Sequence, residues 1–262
     1  MALPKPRNVA DIRYYLYISA TKLDMLYDQM YRATEPRRAA VTLATPIGSA
    51  SVATESREQV SRESKLRAVE EELERRQLVG TLEEPKDYVR GIMPMRWGLY
   101  NDAGVRPDGD PALVYFGGFD KAEVLIPLMV GLGGSTCHVV GYEGASSTGS
   151  RSYAQRLVPW LLASAREGES PSFPGRWDME DEKGSVFRAM AVALHYLKPP
   201  TQNMQFLART LLTGTLEGHE MFTGVARTRV LLGSPIYVAQ AHSLPSDDRW
   251  GLDEQWEPER VA

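Results

Sequence analysis

The stretch VGLGGSTCHVVG, residues 130–141, limits what this chain can fold into more than any other. It puts four glycines into an apolar run that opens at Val124 and contains Pro127. A helix accommodates neither that glycine density nor the proline. The segment therefore reads as a buried strand, a glycine turn at Gly133-Gly134-Ser135 and a second apolar segment. It is not a phosphate loop, because Gly131 is followed by Leu-Gly-Gly-Ser-Thr with no lysine. It is not a dinucleotide fingerprint either, because Thr136 stands where the last glycine belongs. Two readings stay open: a turn that needs positive φ, or a looser anion nest made by the amides of Gly133, Gly134 and Ser135.

The segments before it read mostly as strands. IRYYLYIS, residues 12–19, is β-branched and aromatic and predicts a central strand. TKLDMLYDQMYR follows, with Leu23, Leu26 and Met30 on one helical face and Thr21 as N-cap. Residues 38–56 alternate on either side of TPIG, a hairpin signal. A helix follows, with a capping box at Ser56 and Gln59, an apolar stripe of Leu66, Val69 and Leu73, and a stop at Gly80. DYVRGIMPMRWGLY, residues 87–100, predicts an irregular strand with Pro94 at an edge or bulge, and ALVYFGG a further strand.

Helical patterns dominate the second half. They cover residues 152–167 with a kink at Pro159, residues 178–198 between an acidic start and two prolines, and TQNMQFLARTLLTG at 201–214. VARTRVLLGSPIYVAQA, residues 225–241, predicts two strands folding back about Gly233-Ser234-Pro235. This order predicts an α+β fold: a mainly antiparallel or mixed sheet with helices packed on it, strand-rich in its first half and helix-rich in its second. One domain is expected over 11–242, with a flexible leader at 1–10 and a polar acidic tail at 243–262.

Composition narrows the function. The net charge is −4 and the pI about 5.7, the opposite of the basic balance that nucleic-acid backbones select, so no nucleic-acid partner is expected. Cys137 is the one cysteine, and the four histidines are scattered without ligand spacing. No disulfide and no metal site are expected, and no motif names a cofactor. No signal peptide or membrane-length apolar run is visible, so a cytoplasmic location is expected.

Polar residues at strand ends are the candidates for a site. Lys22 and Asp24 follow the first strand, where ligands often bind; the plain account of Asp24 is complementation of the helix dipole. Arg96 lies beside Trp97 on a strand and points to the opposite side, as an anion ligand or a surface arginine. Together with Gly133, Gly134 and Ser135, these residues would make a site for a small anionic ligand. Cys137 and His138 are adjacent on an expected strand, so they face opposite ways and make no thiolate–imidazole pair; a buried, unreactive thiol is expected. No G-x-S-x-G, H-E-x-x-H or spaced triad assigns a catalytic residue. DMEDE, residues 178–182, fits a helix start better than a metal site.

Taken in order, RYYLYISATKLDML, MPMRWG, VYFGG, GLGGS and LLGSPIYVAQA resemble an uncharacterised family of actinobacterial cytoplasmic proteins over most of 12–242. The resemblance implies a bacterial cytosolic protein and carries over no activity. The expected function is binding of a ligand or a protein partner, as a sensor or accessory of a bacterial signalling or defence system. The alternative is an enzyme acting on a nucleotide or another phosphorylated small molecule. FGGFD, residues 116–120, has a short likeness to the hairpin of palm-type nucleotide cyclases that belongs to this alternative.

Overall fold

In the computed structural model, which describes residues 13–32, 60–100, 113–120, 126–142, 182–197, 200–217 and 226–241, five strands close into a ring. The strands among the described residues are β1 (Tyr14–Ile18), β2 (Val79–Gly80), β3 (Tyr88–Tyr100), β4 (Leu113–Asp120), β5 (Leu128–Ser135), β6 (Gln202–Glu217) and β7 (Arg227–Gln240). β3 pairs antiparallel with β4, β4 with β5, β7 with β6 and β6 back with β3, while β5 and β7 run parallel. This is the connectivity of a Greek-key barrel of the OB type. β5 pairs with β7 at Arg229–Gly233, and β1 continues along the same strand at Tyr237–Gln240.

Side-chain alternation explains why the strands read as nearly unbroken apolar runs. Along β4, Val114 and Phe116 join the inner core, while Leu113 and Tyr115 join a second core outside the wall. That outer core is closed by α3 (Glu182–Tyr196), which brings Phe187 and Met190, with Leu197 just past its end, against β4, β5 and the first half of β7. Both faces are dry, so period-2 patterning is lost to view. In OB barrels the outer face of the second and third strands is the usual binding surface. Here that face carries Tyr115 and Met129, fully buried in the core that α3 completes.

Two expectations about the second half are corrected. Residues 202–217 form strand β6 instead of a helix. Met204, Phe206 and Ala208 face the inner core, register shifts follow at Leu207/Ala208 and Thr210/Leu212, and Leu212 and Leu216 then face the outer core. The shifts break the alternation and leave a spacing that imitates a helix. The described part of the second half is thus not helix-rich: its two long strands outweigh α3. The second correction is that β7 runs straight through Gly233-Ser234-Pro235. Pro235 sits at the register shift, where a missing N–H is tolerated. Pro94 of β3 pairs with Asn203 of β6, and on the other edge of β3 it falls between the pairs made with β2 and those made with β4.

Contacts divide the chain into two units, one of residues up to 19 with those from 79 onward, the other of residues 20–78. The second is a helix pair. α1 (Ala20–Tyr27) runs into a π turn at Asp28–Arg32, and α2 spans Arg62–Arg75. Leu23 and Leu26 of α1 and Leu66, Val69 and Leu73 of α2 are buried. Tyr31 Oη donates to the Ala68 carbonyl at 2.9 Å. Since α1 starts at Ala20, Thr21 lies inside its first turn and does not cap it. α2 is capped by Ser61, whose Oγ accepts from the Ser64 N–H at 3.2 Å. It ends before Gln77, which takes the left-handed conformation at φ 57°, and Gly80 belongs to β2. The 38–56 hairpin, the Ser56 capping box, the 152–167 helix, the leader and the tail lie outside the described residues. Among the described residues, no helix is long and apolar enough to cross a membrane.

Candidate functional site

Gly131, Gly133 and Gly134 of the opening stretch belong to β5, not to a turn, whereas Gly141 lies beyond it in a turn. Gly133 pairs with Tyr115 and Gly134 with Val114 in the ladder with β4. Among the described residues, positive φ occurs only at Gln77 and Gly141. The glycine at 134 answers a need for space. A Cβ there would lie 2.6 Å from Cζ and 2.8 Å from Cε2 of Tyr17. Tyr17 comes from β1, pairs with Val238 and bridges to Val139, so its ring is delivered onto β5 by the sheet itself. The Ser19 side chain and the Ser135 backbone hydrogen-bond its hydroxyl, and burial pushes its pKa well above the ordinary phenol range. An amide engaged there is not available to an anion nest.

Around Tyr17 a run of rings crosses the end of the barrel. Tyr17 meets Phe116 edge-on at 6.0 Å and His138 edge-on at 5.9 Å, and Trp97 stacks on Phe116 at 6.0 Å. Trp97, Leu99 and Val139 pack on the inner core but stay partly exposed, so this rim presents apolar surface. β5 then turns into a 3-10 turn over Thr136–His138. That turn swings Cys137 outward: the thiol is exposed, against the expectation of burial, with Sγ 3.1 Å from Ser135 Oγ. The expectation rested on a strand continuing through 137. The rim thus groups a thiol, a hydroxyl and an imidazole beside aromatic surface, a set suited to hydrogen-bonding a small ligand. Among the described residues, no group of three His, Cys, Asp or Glu side chains could hold a metal ion.

The other predicted site residues have local duties. Asp24 is paired with Lys65 Nζ at 2.6 Å, joining α1 to α2, and it lies beyond the first turn, so the dipole account does not apply. Lys22, on α1, is half-buried, and desolvation lowers its pKa to about 8. Arg96 donates from Nε to Thr201 Oγ1 at 3.1 Å and from a terminal nitrogen to the Leu197 carbonyl at 3.3 Å, tying β3 to the exit of α3. Gly133 and Gly134 are buried, and Ser135 is partly exposed at the rim. Lys22 and Asp24 lie in the helical unit, whereas Arg96 and the residues 133–135 lie in the barrel unit. Sequence reasoning missed Tyr17, Phe116 and Trp97. Their signal was the pairing of an aromatic strand with a glycine-rich one, legible only once the partners are known.

Fold and rim define a closed five-stranded barrel whose chain also carries a helix pair between β1 and β2. Residues 13–242 match the model of a family of unknown function (DUF7019), and the chain belongs to that family. The match spans nearly the whole stretch over which the sequence motifs run. No curated protein and no solved structure matches the chain.

Proposed function

We propose that this protein is a cytosolic binding protein, a sensor or accessory of a bacterial signalling or defence system, that holds a small anionic ligand or a protein partner. The observation that carries the reading is the rim at the end of β5, where partly exposed Trp97, Leu99 and Val139 border Ser135, Cys137 and His138. Apolar surface supplies grip and a few polar groups supply orientation, the usual composition of a ligand site. For an anionic ligand the helical unit offers Lys22: desolvation lowers its pKa to about 8, and an anion bound beside it would raise that pKa again.

The exposed Cys137 beside Ser135 favours a second reading, an enzyme acting on a nucleotide or another phosphorylated small molecule. Thermal shift with inorganic phosphate, ATP and GTP, each with and without Mg2+, separates the two. A saturable rise in Tm that Trp97→Ala or Ser135→Ala abolishes supports binding at the rim. Consumption of the nucleotide that stops in Cys137→Ala supports the enzyme. No shift with any of the three removes the anionic ligand.

A further inference from the structure

Two glutamines stand at the mouth of the barrel, on the other side of Trp97 from Ser135. The inner face of β6 runs Ala208, Phe206 and Met204, all apolar, and its next residue toward the mouth is Gln202, opposite Met95 of β3. On β7 the face of Val238 ends in Gln240, opposite Met204. Residues opposite each other across a ladder share a face, so both carboxamides stand on the inner face where the barrel ends. They are half-buried, and Gln240 Nε2 donates to Gln202 Oε1 at 3.3 Å. A carboxamide carries two donor hydrogens and an acceptor oxygen. Their mutual bond therefore leaves a carbonyl oxygen on Gln240 and an NH2 group on Gln202, an acceptor and a donor side by side.

Trp97 supplies a flat surface next to this pair. It continues the inner face of β3 two residues past Met95, which makes Gln202 its diagonal neighbour across the ladder. Phe116, its direct partner on β4, stacks on it at 6.0 Å with 26° between the rings. β4 and β6 flank β3 on opposite sides, so the face of the indole that Phe116 leaves bare is turned toward β6 and Gln202. The ring packs on the inner core and still stays partly exposed.

We infer that this mouth holds a heteroaromatic base, as in a nucleoside, stacked on Trp97 with its edge on Gln202 and Gln240. The side chains on offer are neutral, so the group they take is uncharged. The stack of Phe116 and Trp97 is extended by one more planar ring. An adjacent donor and acceptor match the edge of a base, which presents an acceptor beside a donor; stacking on an aromatic ring with hydrogen bonds to the edge is how unpaired bases are recognised. The inference deepens the rim reading, on which it rests for the open side of Trp97, and needs no anion at Ser135.

Calorimetric titration of the full chain with adenosine, guanosine, cytidine and uridine, which carry no phosphate, tests it. At least one of the four binds saturably with one site per chain. Gln202→Glu, which replaces the donor with an acceptor at nearly constant shape, weakens that binding about tenfold. Trp97→Ala weakens it at least about tenfold, and Trp97→Phe, which keeps a planar ring in the core, retains most of it. Ser135→Ala leaves it unchanged, although it abolishes the shift with inorganic phosphate on the rim reading. Nucleoside binding without phosphate binding removes the anion and keeps the base. Failure of all four nucleosides overturns the inference even where phosphate binds. Binding indifferent to Gln202→Glu overturns it as well, and binding of maltose that Trp97→Ala and Gln202→Glu abolish replaces the base with a sugar.

Discussion

Replacing Gly134 with alanine tests whether this glycine serves a strand or a turn. The new methyl would enter the Tyr17 ring, 2.6 Å from Cζ. Tyr17 has little room to give way, because its backbone is paired with Val238 and its hydroxyl is held by Ser19 and the Ser135 backbone. Overpacking of this kind costs about 1–3 kcal/mol. Displacing the hydroxyl from its partners adds about 1 kcal/mol. Stiffening of the unfolded chain by alanine offsets about 0.4–1 kcal/mol. The net expectation is a loss of about 2–3 kcal/mol, a fall in Tm of roughly 5–10 °C for a chain of this size. Urea unfolding of Gly134→Ala, Tyr17→Leu and the double variant measures it. In the strand reading the two sites couple, and Gly134→Ala loses at least about 1 kcal/mol less when Tyr17 is already leucine. If Gly134 instead supplied a left-handed turn, the penalty would ignore residue 17. An additive cycle, or a neutral Gly134→Ala, would refute the packing of Tyr17 over this glycine as the reason for it.

Three further outcomes follow from the geometry. Cys137 is exposed, so a thiol reagent modifies it in the native protein within a few-fold of its rate in denaturant; strong protection would contradict the 3-10 turn. Lys22 has its folded pKa lowered to about 8 by desolvation, so the unfolded chain binds the extra proton above that value, and stability rises with pH from about 8 toward the free lysine range. Lys22→Met flattens that rise in pH-dependent denaturation and is more stable than the parent below pH 8, and an unchanged profile would remove the desolvation argument. Arg96→Ala loses its bonds to Thr201 and Leu197 and falls by about 1–2 kcal/mol in urea unfolding, and Arg96→Lys recovers part of it, lacking the planar fork.

Much of the first half was legible because local pattern and tertiary role agree there. The Leu66-Val69-Leu73 stripe of α2 carries its periodicity openly, and the aromatic and β-branched runs of β1, β3 and β4 mark them as strands, although β1 lies at the end of the sheet order and not at its centre as expected. β6 was not legible. Its bulge moves Leu212 and Leu216 onto the face opposite to that of Phe206, so the apolar positions fall at mixed spacings that suit a helix as well. The run 130–135 misleads for a related reason. Glycines signal turns when only the chain itself is considered, whereas Gly131 and Gly134 are small because Tyr115 and Tyr17 lie over them. Nothing local distinguishes a glycine chosen for φ from one chosen for space. The candidate site suffers in the same way: Asp24 and Arg96 are at strand or helix positions where polar groups can serve ligands, and each has found a structural partner that only the fold reveals.

The place of β7 in the sheet fixes when this protein can fold. β7 is the last of the described strands, and it pairs with β1, β5 and β6, the pair with β1 joining Tyr14 to Gln240. A nascent chain that has emerged only as far as residue 226 has β5 and β6 made but not joined, and β1 without the strand it adds to. Ring closure is therefore confined to the time after residues 227–240 have left the ribosome. The contacts that then form join residues as far apart in sequence as Tyr14 and Gln240, which makes folding slow. Until then the open edges of β1, β5 and β6 are templates for mispairing, and the half-made chain is the form in which this protein would most need a chaperone.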